Sequence, residues 1–484
     1  MSFSQRLQEI REGFSRPFWV ANITEMFERL SYYGVNAVLA IYLHETLNFS
    51  ETQTGDLIGY FGGIVWLLPL LGGPLADKFG FRRSLAFAYL IMSVGYFLLG
   101  SLSAPWMAPM REALPLATVI LVILAIPAIG PAIVKPCVVG TTARASKENV
   151  RSLGYSIYYT LVNVGGMLGP LMAGWVRENA GVESVFRVCA LSVFLMFFAI
   201  VIFFREPEEQ GEPKTASFLK VFHNFKTVTG KPLLILALGV ILFEVLCRMA
   251  GVHLPYWVRI IEVGAALACC NRFMMFLVIF SGFYMVFWQT FIALPMYVRG
   301  YVDPHAKIEY LLAVDPFMVI MFQIAISYLT RKWRSFTAMT IGLLVASLSW
   351  LLLTLPPLAA LMNSLAGGLG SVGIAVKGST LLVGLTLVVL AIGEMILSPR
   401  LYEYISRLAP PGQQGVYMGF AFLPVAIGFY VAGALGGRLL EHFGRQLQTP
   451  HVVWWIVSGI GLVATLLMWI YDRIVKPGEG RPQS

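Results

Sequence analysis

The chain has 484 residues, 57% of them hydrophobic and only 13% charged, with a mean hydropathy of +0.74. Soluble domains carry roughly 25% charged residues, so a soluble enzyme or nucleic-acid-binding module is excluded and an all-α, multi-pass membrane protein is expected. The net charge of +9 fits that reading. Lys and Arg gather in every second loop, as at Lys78, Arg82 and Arg83 or at Arg331, Lys332 and Arg334. This is the positive-inside pattern, with both termini cytoplasmic in a cell (inner) membrane. Arg111, Arg299, Lys307 and Lys377 are the main exceptions, lying in the intervening loops.

The first apolar run, about 17–43, is long enough to cross a bilayer, since roughly 20 apolar residues rising about 1.5 Å each span the hydrocarbon. It is too long and too charged for a cleaved signal core, and the segment before it is polar to Arg16. Inside it stand Glu25, Glu28 and Arg29, at i, i+3 and i+4 on one helix face. Charge at that depth costs roughly 2.5 to 3.5 kcal/mol per residue, so the face must meet protein or water and marks a functional site. Glu25 and Arg29 can pair on their own helix. Glu28 then needs a partner from elsewhere.

Further runs follow at about 53–76, 84–103, 114–140, 152–176 and 184–204, then a basic loop to Lys231. Six more come at about 273–298, 311–330, 336–355, 379–399, 414–437 and 451–472. Two six-helix bundles, 1–205 and 271–484, about a central cytoplasmic segment form the repeat-built transporter layout, with its site near the midplane. The segment 206–270 is extra. Its apolar part, 231–270, is broken at His253-Leu254-Pro255 and can cross the membrane only an even number of times. A tight accessory two-helix hairpin is expected, with surface-lying helices as the alternative. Glycine pairs at Gly62-Gly63, Gly72-Gly73, Gly165-Gly166 and Gly436-Gly437 mark close helix approaches.

Nothing signals metal, cofactor or catalysis. The six histidines are scattered, the five cysteines lack ligand or disulfide spacing, and no Gly-Lys-Ser/Thr phosphate loop occurs.

After the second run comes Gly73-Pro74-Leu75-Ala76-Asp77-Lys78-Phe79-Gly80-Phe81-Arg82-Arg83. This loop resembles the signature of the major facilitator superfamily, in which Asp77, Arg82 and Arg83 would form a cytoplasmic latch. The first-run motif Glu25-x-x-Glu28-Arg29-x-x-Tyr32-Tyr33-Gly34 resembles that of one branch, the proton-coupled oligopeptide transporter family. So do Lys135-Pro136-Cys137, the stretch Ser156 to Gly165 with Tyr158, Tyr159 and Asn163, and Gly393-Glu394-x-x-x-Ser398-Pro399. The resemblance runs from residue 25 to about 415. It implies proton-coupled import by alternating access.

Lys135 lies at a depth close to that of Glu25 and Glu28, so it is the expected answer to Glu28. Across the cytoplasmic mouth it is the expected gating partner of Glu394, on an inward-running helix of the other half. Asn163 and Tyr159 offer polar contacts. Tyr32 and Tyr33 supply apolar wall with Trp288.

Three positions depart from the family. Asn36 stands where peptide transporters commonly place a second arginine, Phe287-Trp288-Gln289 has no carboxylate, and Asp315-Pro316 replaces Asn-Pro. The loss of arginine and acid together strands no charge. It does weaken the case for di- and tripeptides as the cargo.

Glu25, Glu28, Arg29 and Lys135 sum to zero. A substrate carboxylate docking on Arg29 or Lys135 is then balanced by one proton on Glu25 or Glu28, which burial makes accessible. Asp315 and Glu394 favour a cationic group on the opposite wall. The expectation is a monomeric symporter of protons and small zwitterionic solutes, short peptides or amino-acid-like compounds. An antiporter exporting amphiphilic cations is the rival. A non-transporting receptor is the alternative of another class.

Overall fold

The computed structural model describes residues 13–69, 79–207, 228–230, 266, 269–372, 376–409 and 414–475. Asp77, Gly72-Gly73 and almost all of the expected hairpin at 231–270 lie outside them.

The described chain is helical. In order its long helices are α1 (Arg16–Ile41), α2 (Glu51–Leu67), α3 (Phe81–Leu99), α4 (Leu116–Arg144), α5 (Arg151–Ala180), α6 (Val182–Phe203), α7 (Arg272–Phe287), α8 (Val314–Leu329), α9 (Ser335–Ser349), α10 (Gly378–Leu408), α11 (Leu423–Leu439) and α12 (Val452–Val475). Eight of the described helical stretches are long and apolar enough to cross a membrane. α1 and α5, which carry the buried charges and the tyrosine-rich motif, are not among them.

Local chemistry sets the ends and breaks. Ser50 and Gln53 form a reciprocal capping box at the start of α2. α5 passes to α6 through the single residue Gly181, whose φ of +82° suits glycine. The seventh crossing is not one helix. It yields to a 3-10 turn at Trp288–Thr290 before a short helix, Ala293–Tyr297. The Pro295 ring conflicts there with the carbonyl four residues back. The eighth is broken likewise between Ile308–Leu312 and α8, around Pro316, and the eleventh between Gln414–Phe420 and α11, ahead of Pro424. By contrast α10 runs through Pro399 to Leu408, past the end expected near 399.

α1 packs on α5 and α6, α3 on α4 and α6, α7 on α11 and α12, and α9 on α10 and α12. The N-terminal and C-terminal sets meet chiefly through α2 against α11 and α5 against α8. At Gly165 and Gly169 the α1 backbone at Met26 and Leu30 leaves no room for a Cβ, and Gly55 and Gly59 meet Gly433 in the same way. Outward faces expose large apolar side chains, Trp175 at 63% and Ile324 at 86%, as a bilayer requires and water would not tolerate.

Candidate functional site

The charged face of α1 is enclosed: Glu25, Glu28 and Arg29 are all buried. Their pairing differs from the one the spacing suggests. Arg29 donates to both oxygens of Glu28, Nε at 2.5 Å and Nη2 at 2.6 Å, and its guanidinium lies 4.8 Å from the Tyr32 ring centre. Among the described residues Glu25 is left with a single donor, the Tyr158 hydroxyl of α5 at 3.4 Å, and its Oε2 has no partner. The i, i+4 pair is therefore replaced by an adjacent pair that is fork-to-carboxylate.

Lys135 reaches this cluster from α4, within electrostatic range of Glu25, Glu28 and Arg29. Among the described residues no carboxylate stands at ion-pair distance from it. Its ammonium lies instead 4.5 Å from the Trp66 ring centre and 5.3 Å from that of Phe422. Those rings belong to α2 and to the break before α11, so one cation touches both halves of the chain. The Trp66 indole donates to the Tyr32 hydroxyl at 3.2 Å, which links Lys135 to the Arg29–Tyr32 stack.

Glu394 does not meet Lys135 in this conformation. Its carboxyl group lies within hydrogen-bonding reach of Asp315, α10 against α8. Tyr33 lies within electrostatic range of Arg29 and Glu28 and of Glu394 and Asp315. Gly166 of α5 lies against both Tyr33 and Pro316, which brings α1, α5 and α8 to one point. Tyr159 is 39% exposed and faces the same acids. Asn163 spends its NH2 on the Tyr159 carbonyl at 2.9 Å, leaving its own oxygen for another donor.

Other expected residues serve the walls. Asn36 is buried, donates to the Tyr32 carbonyl at 2.8 Å and keeps Oδ1 without a partner. Trp288 stacks on Phe429 at 4.0 Å. Gln289, at the position lacking the acid, points to α11 and donates to the Ala432 carbonyl at 3.1 Å. Where α3 begins and α6 ends, Glu206 accepts from the Phe81 and Arg82 amides, and the Arg82 guanidinium caps the Val201 carbonyl of α6. Arg83 is exposed.

Sequence reading did not find the contacts at the opposite helix ends. Arg299 grips Glu45 at 2.5 and 2.8 Å, Lys307 meets Glu178 at 2.9 Å, and Arg438 meets Asp56 at 2.6 Å. Arg177 binds the fully buried Glu309 at 3.1 Å, and Tyr301 donates to Glu51 at 2.8 Å. Each contact joins the N-terminal set of helices to the C-terminal set, so this face is closed. Within the C-terminal set Lys377 holds the Asp303 carboxyl below its usual range, while across the two sets Glu178 holds the Lys307 ammonium above its own and is itself held below the usual carboxylate range. Three of the four cations that break the alternation of basic loops thus have carboxylate partners here. That exception was the available signal.

A profile of the Major Facilitator Superfamily matches residues 22–376. Among curated proteins the chain is 23% identical to dipeptide and tripeptide permease B of Edwardsiella piscicida, covering 96% of this chain and 97% of that one. It is 24% identical to dipeptide and tripeptide permease A of Erwinia pyrifoliae, covering 93% and 92%. Among solved structures it is similar to the POT family transporter PepTSo, with a TM-score of 0.71 and 19% identity over 95% of this chain and 98% of that one.

Proposed function

The chain belongs to the major facilitator superfamily, and from that premise we propose that it is a proton-coupled symporter. Its cargo is a small zwitterionic solute, a short peptide or an amino-acid-like compound. Near-complete alignment with bacterial di- and tripeptide permeases supports the transport class. We assign it to the cell membrane with both termini cytoplasmic, acting as a monomer whose halves, 1–205 and 271–484, rock about the site.

The observation that carries the reading is the unequal treatment of the two α1 acids. Glu28 and Arg29 satisfy each other, whereas among the described residues Glu25 has an unpartnered oxygen within electrostatic range of a lysine that touches no carboxylate. Glu25 is thus the proton acceptor and Lys135 the dock for a substrate carboxylate. When the anion arrives, the cluster gains a negative charge in a poorly solvated place, and a proton on Glu25 restores the balance. Lys135 also lies between rings from both halves, so its engagement with substrate weakens one tie between them.

The test is uptake of labelled alanyl-alanine into proteoliposomes with an inward proton gradient. Accumulation that collapses with a protonophore supports the proposal; no gradient-driven uptake contradicts it. The acid pair on the opposite wall favours a second reading, an antiporter exporting amphiphilic cations. In that case an outward flux of a cationic dye would accompany proton entry.

A further inference from the structure

No Asp, Glu, Lys, Arg or His occurs between Arg334 and Lys377. Within that stretch the helical span Ser335–Thr354 has 20 residues, about 30 Å of helix and enough for one crossing. The next crossing, α10, starts at Gly378. The intervening helix, Pro356–Ser371, has 16 residues and joins two crossings that end and begin on the same side of the membrane. It therefore does not cross. Trp455 of α12 marks its level: this exposed indole donates to the Thr354 hydroxyl at 3.0 Å, and exposed tryptophans gather at the boundary between membrane and water.

The side chains of this helix fall into three sectors, each repeating at i, i+4 and i+11. Leu358, Met362 and Leu369 form the sector that packs on α10, with Met362 buried and the two leucines half-buried. Gly378, where α10 begins, lies against Asn363 with no room for a Cβ. Leu361, Leu365 and Val372 at the helix end form a second sector and are 53%, 49% and 69% exposed. Ala360, Ser364 and Ser371 form the third with Gly367, where an added Cβ would meet nothing within 4 Å.

A helix lying in the plane of a leaflet has three such surroundings: protein at its side, acyl chains beneath it and water above. A second copy of the chain fits the bare apolar sector less well, because a stable interface needs about 20–30 residues a side and this sector supplies three side chains.

We propose that Pro356–Ser371 is an in-plane anchor that inserts Leu361, Leu365 and Val372 among the acyl chains of the leaflet opposite the basic Arg331, Lys332 and Arg334. Its partner is thus a lipid surface. Because the helix carries no charge, its insertion follows how loosely the lipids pack and not the sign of their headgroups. Lys377, the first charge after the helix, bonds Asp303 at 2.7 Å, which ties the anchor to the segment following the seventh crossing. The proposal needs α9 and α10 to span the membrane and does not depend on the transport reading.

A fluorescent amino acid placed by stop-codon suppression at Leu365 or at Ser364, in the full chain in lipid vesicles, tests it. Brominated acyl chains should quench the fluorophore at position 365, and acrylamide in the water should quench the one at position 364. Adding Leu361→Ser and Val372→Ser should cause loss of the lipid quenching at position 365. So should cholesterol, which tightens the packing, whereas exchanging phosphatidylcholine for anionic phosphatidylglycerol with the same chains should change neither signal. Quenching at position 365 by acrylamide alone, or protection from both quenchers as a second copy would give, overturns the anchor. Quenching that follows headgroup charge, or that ignores cholesterol, overturns the dependence on packing.

Discussion

Arg29 and Glu28 neutralise each other inside the protein, so removing either strands a buried charge. Arg29→Ala should destabilise the purified protein by about 3–5 kcal/mol, read as a fall in melting temperature. Glu25→Gln keeps the shape and gives up only the single 3.4 Å bond from Tyr158, so its melting temperature should stay close to wild type. Lys135→Ala should raise KM for a dipeptide about tenfold or more, roughly 1.4 kcal/mol. The same dipeptide with an amidated C-terminus should lose nothing further; an equal loss for both would deny Lys135 its role as carboxylate dock. The identities of these residues were legible in the sequence, because charge inside an apolar run is conspicuous. Their partners were not. Helical spacing places Glu25, Glu28 and Arg29 on one face, but side-chain geometry chose Glu28 for Arg29. Contacts between distant helices chose Asp315 for Glu394.

The elements themselves were largely legible, since each of the twelve expected crossings is helical over most of its described residues. What the runs hide is continuity. The seventh and eleventh crossings break next to prolines at the level of Trp288 and Phe422, the residues that wall the site, and the eighth breaks beside Asp315. Irregular backbone at membrane depth is tolerated where it lines a protein interior. A connecting helix, Pro356–Ser371, was also missed, because its Gly367, Gly368 and Gly370 speak against helix by propensity. Close approach of α1 and α5 depends on Gly165, where any Cβ meets the Met26 carbonyl. Gly165→Leu should therefore separate these helices and cost about 1–3 kcal/mol. The matched change Gly367→Leu, on an open surface with nothing near it, should leave thermal stability unchanged.

At the scale of the whole molecule, the closed outer face rests on ion pairs that join the two sets of helices. Exposed pairs contribute little each, about 0.2–1 kcal/mol, but Glu309 is fully buried and depends on Arg177. Arg177→Ala should widen spin-label distances between the outer ends of α5 and α8, and an unchanged distance would remove this pair from the closure. The pH dependence has a definite sign. Glu178 titrates below its ordinary value because Lys307 donates to it, so this tie between the two sets is fully present above about pH 4 and lost as pH falls through the lowered value. Lys307 titrates above its ordinary value, so its tie to Glu178 persists below about pH 10 and fails only in stronger alkali. The outer face should hence stay closed across neutral pH and loosen in acid. The all-helical, multi-pass character could be read from the apolar runs, whereas the closure depends on which loop charges meet in space.

The central claim is that a proton on Glu25 pays for the substrate anion in the α1–α4 cluster. It is tested most directly by comparing gradient-driven accumulation with substrate exchange for labelled alanyl-alanine in proteoliposomes. Glu25→Gln should exchange the peptide across the membrane yet fail to concentrate it under an inward proton gradient. Accumulation by Glu25→Gln equal to that of wild type would contradict the account.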